Sequence, residues 1–550
     1  MNEDLVASAS AWIAADPDEG DRRDLQALID SGDDAELERR FASPLTFGTA
    51  GLRGPERAGP SGMNRATVRR ATQGVAAWLR ARELDPVRGV VVGRDARRGS
   101  ERFNDETVAV LLGEGVSVLE MPRPLPTPLT AYVVQRLGAA AGVMITASHN
   151  PPEDNGYKLY GPDGSQIVSP DDVVVEQAMN AARTATLADR ESSLHHVVGE
   201  EVIEEYRRHL LDRFSPGDSE LRVAYTPLHG VGGALVTELL HRAGYRDVCV
   251  VAEQFAPDGN FPTVAFPNPE EPGAMDLLLA LARERECHLA LANDPDADRL
   301  SVAVPLDDGQ WRQLRGDEVG WLLGHQALAG AQPGDVVATT IVSSGMLERM
   351  AREAGVPCAL TLTGFKWVAK ANGLGRLAFG YEEALGYGVD PLVGDKDGVS
   401  AALAFARLAH DLRLEGRSVL DLLDELETRF GVHAGAQLAL RASASSGRGV
   451  LERTMARVRR TPPTELGGLR VSEVIDLEQG WGSLPATEGV WWSLGDAGRV
   501  VVRPSGTEPK LKAYVELVAP ATSDLVGTRR ATQTRVDQVL EDLRNLLALN

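Results

Sequence analysis

Short apolar runs alternate with longer amphipathic ones along most of this chain, and that alternation limits the fold more than any other feature. "ATVRRATQGVAAWLRARE" (66–83) puts Val68, Ala71, Val75 and Leu79 on one stripe at helical spacing. "RGVVVGRD" (88–95) follows as a buried strand, "DETVAVLLGEG" (105–115) as a helix and "VSVLEM" (116–121) as a strand. A further strand-like run, "GAAAGVMI" (138–145), leads into a loop rich in Pro, Asn and Gly. Strands that alternate with helices predict an α/β domain with a mainly parallel sheet.

The pattern then starts again. "LRVAYTPLHG" (221–230), "GALVTELLHRAG" (233–244), "DVCVVAE" (247–253), "GAMDLLLALARERE" (273–286) and "CHLALA" (287–292) form a second round, and 335–388 a third. The last part differs. "GGLRVSEVIDLEQGWG" (467–482) and "GVWWSLGDAGRVVVRPSGTEPKLKAYVEL" (489–517) predict a smaller α+β unit closed by a helix over 529–549. The expected fold is three successive α/β domains with mixed, mainly parallel sheets and a smaller C-terminal α+β domain around a central cleft. The expected divisions are an N-terminal helical arm 1–40 and domains 41–215, 216–328, 329–434 and 435–550. Ligand sites in open α/β sheets form at the carboxyl ends of strands. Here each unit has a strand that ends in a polar loop.

With 550 residues the chain is too long for one core. Its net charge of −22 disfavours nucleic acid and anionic membrane as partners. The same field repels an anionic substrate, so an anion site needs local cations and backbone N–H groups. Cys249, Cys287 and Cys358 are few and far apart, without zinc spacing, and read as free thiols in a reducing compartment. The acidic N-terminus lacks the basic and apolar regions of a signal peptide, and no run has the length of a membrane span. The expected location is the cytoplasm.

Five loops carry the chemistry. In "NDPDADR" (293–299), Asp294, Asp296 and Asp298 alternate with Pro295 and Ala297. An extended turn would point all three carboxylates one way, which a hard divalent cation such as Mg²⁺ relieves. The alternative is a solvated acidic turn. In "RPSGTEPK" (503–510), Arg503 offers a planar fork, Ser505 and Thr507 offer hydroxyls, and Gly506 lets backbone N–H groups approach an anion. A plain Pro-Ser-Gly turn accounts for Pro504 and Gly506 but not for Arg503, Thr507, Lys510 and Lys512. "FGYEEALGYG" (379–388) carries Glu382 and Glu383, which suit sugar hydroxyls or equally the start of a helix. "FGTAGLRG" (47–54) presents Arg53 to an anion or to solvent.

The remaining loop, "TASHNPPEDNGYKLYG" (146–161), sets Ser148 beside His149, with Lys158 ten residues on. A free serine is a poor nucleophile without a base or a positioning group. Adjacent side chains in extended backbone point apart, and the G-x-S-x-G elbow is missing, so a hydrolase triad fits poorly. Phosphoryl transfer fits better, because its demands are positioning and neutralisation of charge. His149 and Lys158 are then candidates for moving protons or contacting phosphate. "HGVGGAL" (229–235) has Leu235 where a dinucleotide fingerprint needs its last glycine, and no GxxxxGK[ST] occurs.

"TASHNPPEDNGYK", "NDPDADR", "GYEEALG" and "RPSGTEPK", in that order, resemble the four signature loops of the α-D-phosphohexomutase family, over nearly the whole chain from about residue 40. The resemblance implies four domains with one loop each around a cleft. It implies that Ser148 is a phosphoserine that donates to the sugar, and that Asp294, Asp296 and Asp298 hold Mg²⁺ together with its phosphate. Arg299 would face the transferring phosphoryl group, and Glu382, with Glu383 beside it, would accept sugar hydroxyls. Arg503, Ser505, Gly506 and Thr507, with Lys512 near them, would grip the other phosphate. Arg53, His149 and Lys158 match first-domain active-site positions. The implied reaction passes through a sugar 1,6-bisphosphate on a small-molecule phosphosugar, in a monomer or dimer. The family usually carries Ser after the Glu pair, where this chain has Ala384. "FGTAGLRG", "TGFKW" (363–367) and "GDKDGVSAA" (394–402) resemble the branch acting on glucose or pentose phosphates, with mannose phosphate as the alternative. A phosphosugar phosphatase and a silent binder are the rivals outside mutase chemistry.

Overall fold

The computed structural model describes residues 3–47, 51–182, 184–442, 447–505 and 510–549. It divides into two compact units: Met1–Leu314 with Leu385–Asp411, and Arg315–Ala384 with Leu412–Asn550.

The first unit opens with three helices, Glu3–Ala15, Glu19–Ser31 and Asp34–Phe41, which bury Ala9, Leu25 and Leu37 against Ala58. Asp18 and Asp33 cap the second and third helices through their side chains. A six-stranded sheet follows. Its strands are β1 (Leu52–Pro55), β2 (Val90–Arg94), β3 (Val118–Glu120), β4 (Ala141–Ile145), β5 (Asp154–Tyr160) and β6 (His195–Val197), in the order β1-β5-β4-β2-β3-β6. β4, β2, β3 and β6 run parallel, while β5 and β1 are added antiparallel at one edge. The helix Arg65–Ala81 packs the predicted stripe into the core: Val68, Ala71 and Val75 are fully buried.

A five-stranded sheet forms the next layer. β7 (Ser219–Thr226), β8 (Tyr245–Val250), β9 (Leu289–Asn293), β10 (Leu300–Pro305) and β11 (Trp311–Gln313) lie in the order β11-β10-β9-β7-β8. β7, β8 and β9 are parallel; β10 and β11 return antiparallel. Both sheets are therefore mixed. The segment 385–411 also belongs to this unit. Leu300 N–H donates to Leu385 O (3.1 Å), Tyr160 OH to Asp395 (3.0 Å) and Tyr206 OH to Asp397 (2.8 Å).

In the second unit, strands Asp335–Thr340, Cys358–Thr361 and Arg376–Glu382 pair in parallel. A separate antiparallel sheet uses Val432–Arg441, Lys510–Ala519, Gly498–Pro504, Val490–Ser493 and Glu473–Asp476. The helices Gly447–Arg460 and Leu525–Leu546 cover it over a core of Val500, Val502, Met455, Val536 and Leu543. The fold is thus three α/β sheets and a C-terminal α+β unit. One expectation needs correction. Lys158 does not lie in an irregular loop: it is on β5, paired with Met144 of β4, because the chain after Ser148 turns straight back as a hairpin.

Candidate active site

The Ser148 loop joins β4 to β5 at the carboxyl end of β4. Ser148 sits in the left-handed region at φ 55°, which costs a side-chain-bearing residue on the order of 1 kcal/mol. The local contacts that hold it there begin with its own N–H, which donates to Thr146 Oγ1 (2.8 Å). The turn overturns one expectation: Ser148 and His149 side chains do not point apart. Ser148 Oγ lies 3.3 Å from His149 Nδ1, since the loop is a tight turn rather than an extended run. Ser148 Oγ also donates to Asp294 Oδ2 at 2.9 Å. Burial, then the cations of Arg299 and Arg53, hold the His149 imidazole well below its usual pKa.

The three carboxylates follow β9, which ends at Asn293. Oxygens of Asp294, Asp296 and Asp298 lie within 4.8 Å of one another, and all three residues are fully buried. They converge through a turn and not through extended backbone, because Ala297 is left-handed at φ 54°. Close packing fixes that turn. Val231 N–H donates to Pro295 O (2.8 Å), and a Cβ on Gly230 would stand 2.4 Å from both Pro295 Cα and Pro295 O. Thr127, at the start of the helix Thr127–Leu137, donates from Oγ1 to Asp296 Oδ2 (2.6 Å) and from N–H to Asp296 O (2.9 Å).

Buried carboxylates need compensating charge. Lys158, fully buried, donates from Nζ to Asp296 Oδ2 (2.7 Å) and Asp298 Oδ2 (2.6 Å). Lys396 Nζ adds a second cation 2.9 Å from Asp298 Oδ2. Burial and the charges of Asp296 and Asp298 push Asp294 well above the ordinary carboxylate range. Burial acts the same way on Asp296 and Asp298, but Lys158 with the Thr127 hydroxyl at Asp296, and Lys158 with Lys396 and Arg299 at Asp298, together hold both low. Oδ1 of Asp296 and Oδ1 of Asp298 are buried and have no hydrogen-bond partner among the described residues. Hard oxygen donors of this kind, left over after the lysines are satisfied, fit a divalent cation. Arg299 N–H donates to Asp294 Oδ1 (3.0 Å), and its guanidinium lies 4.0 Å from Asp294 and 3.9 Å from Asp298. Arg53, on β1, reaches Asn150 Oδ1 (3.4 Å), and burial lowers its pKa.

The second unit holds the other predicted residues. Glu382 Oε1 accepts from Gly364 N–H (2.8 Å). Glu383 Oε2 accepts from Ser343 Oγ (2.8 Å) and Thr340 Oγ1 (3.5 Å), and burial together with Glu382 raises its pKa to about 7. Glu382 ends the strand Arg376–Glu382 and Glu383 opens the turn after it, so the pair does not start a helix. Arg503 lies on Gly498–Pro504 opposite Lys512, and Tyr514 has Glu383 and Arg503 about its buried phenol. Ser505 N–H donates to Lys510 O (2.8 Å). Gly506 and Thr507 lie outside the described residues, as do positions 48–50 of the "FGTAGLRG" stretch.

The structure thus brings Ser148, His149, Lys158, Arg53, Arg299 and the three aspartates together within one unit, and Glu382, Glu383 and Arg503 within the other. Sequence reading missed Lys396, Thr127 and the Asp95–Arg97 turn. The signals were present: "GDKDG" breaks an otherwise apolar stretch with three charges, and "RDARRGS" follows β2 as another strand-to-loop junction.

Family models cover most of the chain: phosphoglucomutase/phosphomannomutase alpha/beta/alpha domain I over residues 44–186, domain II over 204–307, domain III over 315–430 and the C-terminal domain over 471–523. A probable phosphomannomutase of Haemophilus influenzae is 41% identical over 462 residues, covering 83% of this chain and 93% of that protein. A phosphopentomutase of Mus musculus is 34% identical, covering 94% of this chain and 91% of its own length. A phosphoglucomutase of Staphylococcus aureus is 31% identical over 89% and 93%. The solved structure of a putative phosphomannomutase from Thermus thermophilus shares the fold at a TM-score of 0.70 and 24% identity, over 92% of this chain and 99% of that one. By these matches and its four ordered loops, the chain belongs to the phosphoglucomutase/phosphomannomutase family of α-D-phosphohexomutases and is an isomerase-type phosphotransferase acting on a phosphosugar.

Proposed function

We propose that this protein interconverts sugar 1-phosphate and sugar 6-phosphate, with glucose phosphate as the substrate, through a phosphoserine at Ser148 and a sugar 1,6-bisphosphate. The observation that carries the reading is the buried cluster in which Ser148 Oγ stands 2.9 Å from Asp294 while Lys158 and Lys396 offset the charge of Asp296 and Asp298. Phosphoryl transfer asks for this combination of a positioned oxygen and neutralised charge. In the first half-reaction a sugar hydroxyl attacks the phosphorus on Ser148. The Ser Oγ–P bond breaks, the sugar O–P bond forms, and the hydroxyl proton passes to a nearby base. After the bisphosphate turns over, Ser148 Oγ takes back the other phosphoryl group and releases the isomeric monophosphate.

Asp294, Asp296 and Asp298 would hold Mg²⁺, which supplies electrostatic stabilisation of the charge that develops on the transferring group. Lys158 and Arg299 keep the cluster near neutrality so that a phosphate dianion can enter a protein of net charge −22. His149, held neutral beside Ser148, accepts or returns the proton. Glu382 and Glu383 receive sugar hydroxyls, and Arg503, Ser505, Gly506, Thr507 and Lys512 bind the phosphate that is not transferred. The domains are read as 41–215, 216–328, 329–434 and 435–550 after the arm 1–40, and the enzyme as cytoplasmic.

A pentose 1-phosphate/5-phosphate reading has its own support. The relatives that span 94% of this chain are named phosphopentomutase in mouse and probable phosphoribomutase in Schizosaccharomyces pombe, and Ala384 removes one hydroxyl from the sugar loop. The test is a panel of glucose, mannose, N-acetylglucosamine and ribose 1-phosphates with Mg²⁺ and a trace of the matching bisphosphate. The largest kcat/KM on glucose phosphate supports the first reading, and the largest on ribose phosphate the second. Phosphate release that outpaces isomerisation on every sugar refutes both in favour of a phosphatase. Ser148→Ala should remove the acid-stable ³²P label from the protein; a surviving label refutes Ser148 as carrier.

A further inference from the structure

Arg97 stands outside the five loops that carry the reaction, in the turn after β2, and its side chain is 1% exposed. Its guanidinium has five N–H donors in a rigid fork. Nη2 donates to Ser148 O (2.5 Å) and Asn150 O (2.7 Å), and Nη1 to Pro151 O (2.8 Å) and Asp154 O (3.0 Å). Nε faces Asp95 Oδ2 at 3.3 Å. The loop 148–154 is therefore folded around one cation, with four inward carbonyls met by one side chain. Two of those seven positions are proline, which cannot donate a backbone hydrogen bond of their own.

The grip extends to both sides of Ser148. Asp95 accepts from Thr146 Oγ1 (2.7 Å), Ser100 Oγ (2.5 Å) and Arg97 N–H (3.0 Å), and Thr146 Oγ1 in turn accepts the Ser148 N–H. The carbonyl and the amide of the left-handed Ser148 are thus both tied to the Asp95–Arg97 pair. The ring of Phe261 covers the guanidinium at 5.0 Å, which keeps its plane fixed. We propose that Arg97 is a positioning residue for phosphoryl transfer: it sets the backbone of Ser148 so that Oγ is aimed at the reacting phosphorus. The proposal rests on Ser148 being the phosphoryl carrier.

A lysine keeps the charge but has three donors and no plane, so it cannot meet four carbonyls. Arg97→Lys should therefore remain folded, shown by an unchanged circular dichroism spectrum, and lose about 10²-fold in kcat. KM for the sugar phosphate should hardly move, because Arg97 does not touch it. Loading of Ser148 from the sugar bisphosphate, followed as protein mass gained, should slow in the same proportion. Added guanidinium ion should partly restore turnover to Arg97→Ala, and ammonium ion should not. If Arg97→Lys fails to fold, Asp95→Asn carries the test, since it loosens the same guanidinium and should give a smaller loss confined to kcat. A folded variant that turns over at the parent rate, or one whose loss lies in KM with kcat intact, overturns the proposal. Ser148→Ala run alongside separates the two ideas: retained label in Ser148→Ala refutes the carrier, whereas lost label with a normal Arg97→Lys refutes only the positioning role.

Discussion

Lys158→Met replaces the buried ammonium between Asp296 and Asp298 by a thioether of similar length. The two contacts, 2.7 and 2.6 Å, are each worth about 6 kcal/mol of gross attraction at an effective dielectric of about 20. Desolvation of the ions offsets much of that, and breaking a buried pair by removing one partner costs about 3–5 kcal/mol. The structure favours the low end. Asp298 keeps Lys396 at 2.9 Å, and Asp296 keeps the Thr127 hydroxyl at 2.6 Å. A loss of about 3 kcal/mol corresponds to a fall of roughly 4 °C in the melting midpoint of a unit this size. The assay is calorimetry in EDTA and again in Mg²⁺. A cation that binds only the folded state stabilises by about 2.7 kcal/mol at a hundredfold excess over its Kd. It should do more for the variant than for the parent, because the variant has lost a competing positive charge. A fall of less than about 2 °C in EDTA, or an equal Mg²⁺ effect in both proteins, would refute the argument that Lys158 is the main charge compensator.

Three further outcomes follow from the same geometry. Thr127→Val removes the hydroxyl that orients Asp296 and should raise the half-saturating Mg²⁺ concentration about 10- to 100-fold in a titration of activity. Gly230→Ala drives a methyl into the backbone of Pro295, so denaturant titration should show a loss of about 1–3 kcal/mol, and the Mg²⁺ requirement should rise with it. Glu383 titrates near 7, against an ordinary value of 4.5, because burial and Glu382 penalise its charge. The folded state then holds this proton more tightly than the unfolded state, so its contribution to stability falls as pH climbs from about 4.5 to about 7. Glu383→Gln should remove that slope from the second unit's melting midpoint; an unchanged slope would show that Glu383 is not the group responsible.

Much of this protein was legible in the order of its residues. The stripe Val68, Ala71, Val75 and Leu79 packs as its spacing requires, and "GVMI" and "LALA" are buried strands that end in the Ser148 and Asp294 loops. Such features are local: side-chain period and the carboxyl end of a strand follow from a dozen neighbouring residues. Three aspartates at alternate positions likewise announced a need for positive charge. What supplies that charge was not legible. Lys158 and Lys396 lie 138 and 98 positions from Asp296 and Asp298, and only the hairpin of β5 and the anchoring of segment 385–411 deliver them. The left-handed turn at Ser148, and the Arg97 fork that holds it, also depend on chain 51 residues away. Spacing along the chain reports which side of an element a residue faces. Which charges meet, and whether a serine hydroxyl turns toward its neighbour or away from it, is settled by burial, where every carboxylate and carbonyl must find a partner from whatever strand the fold sets beside it.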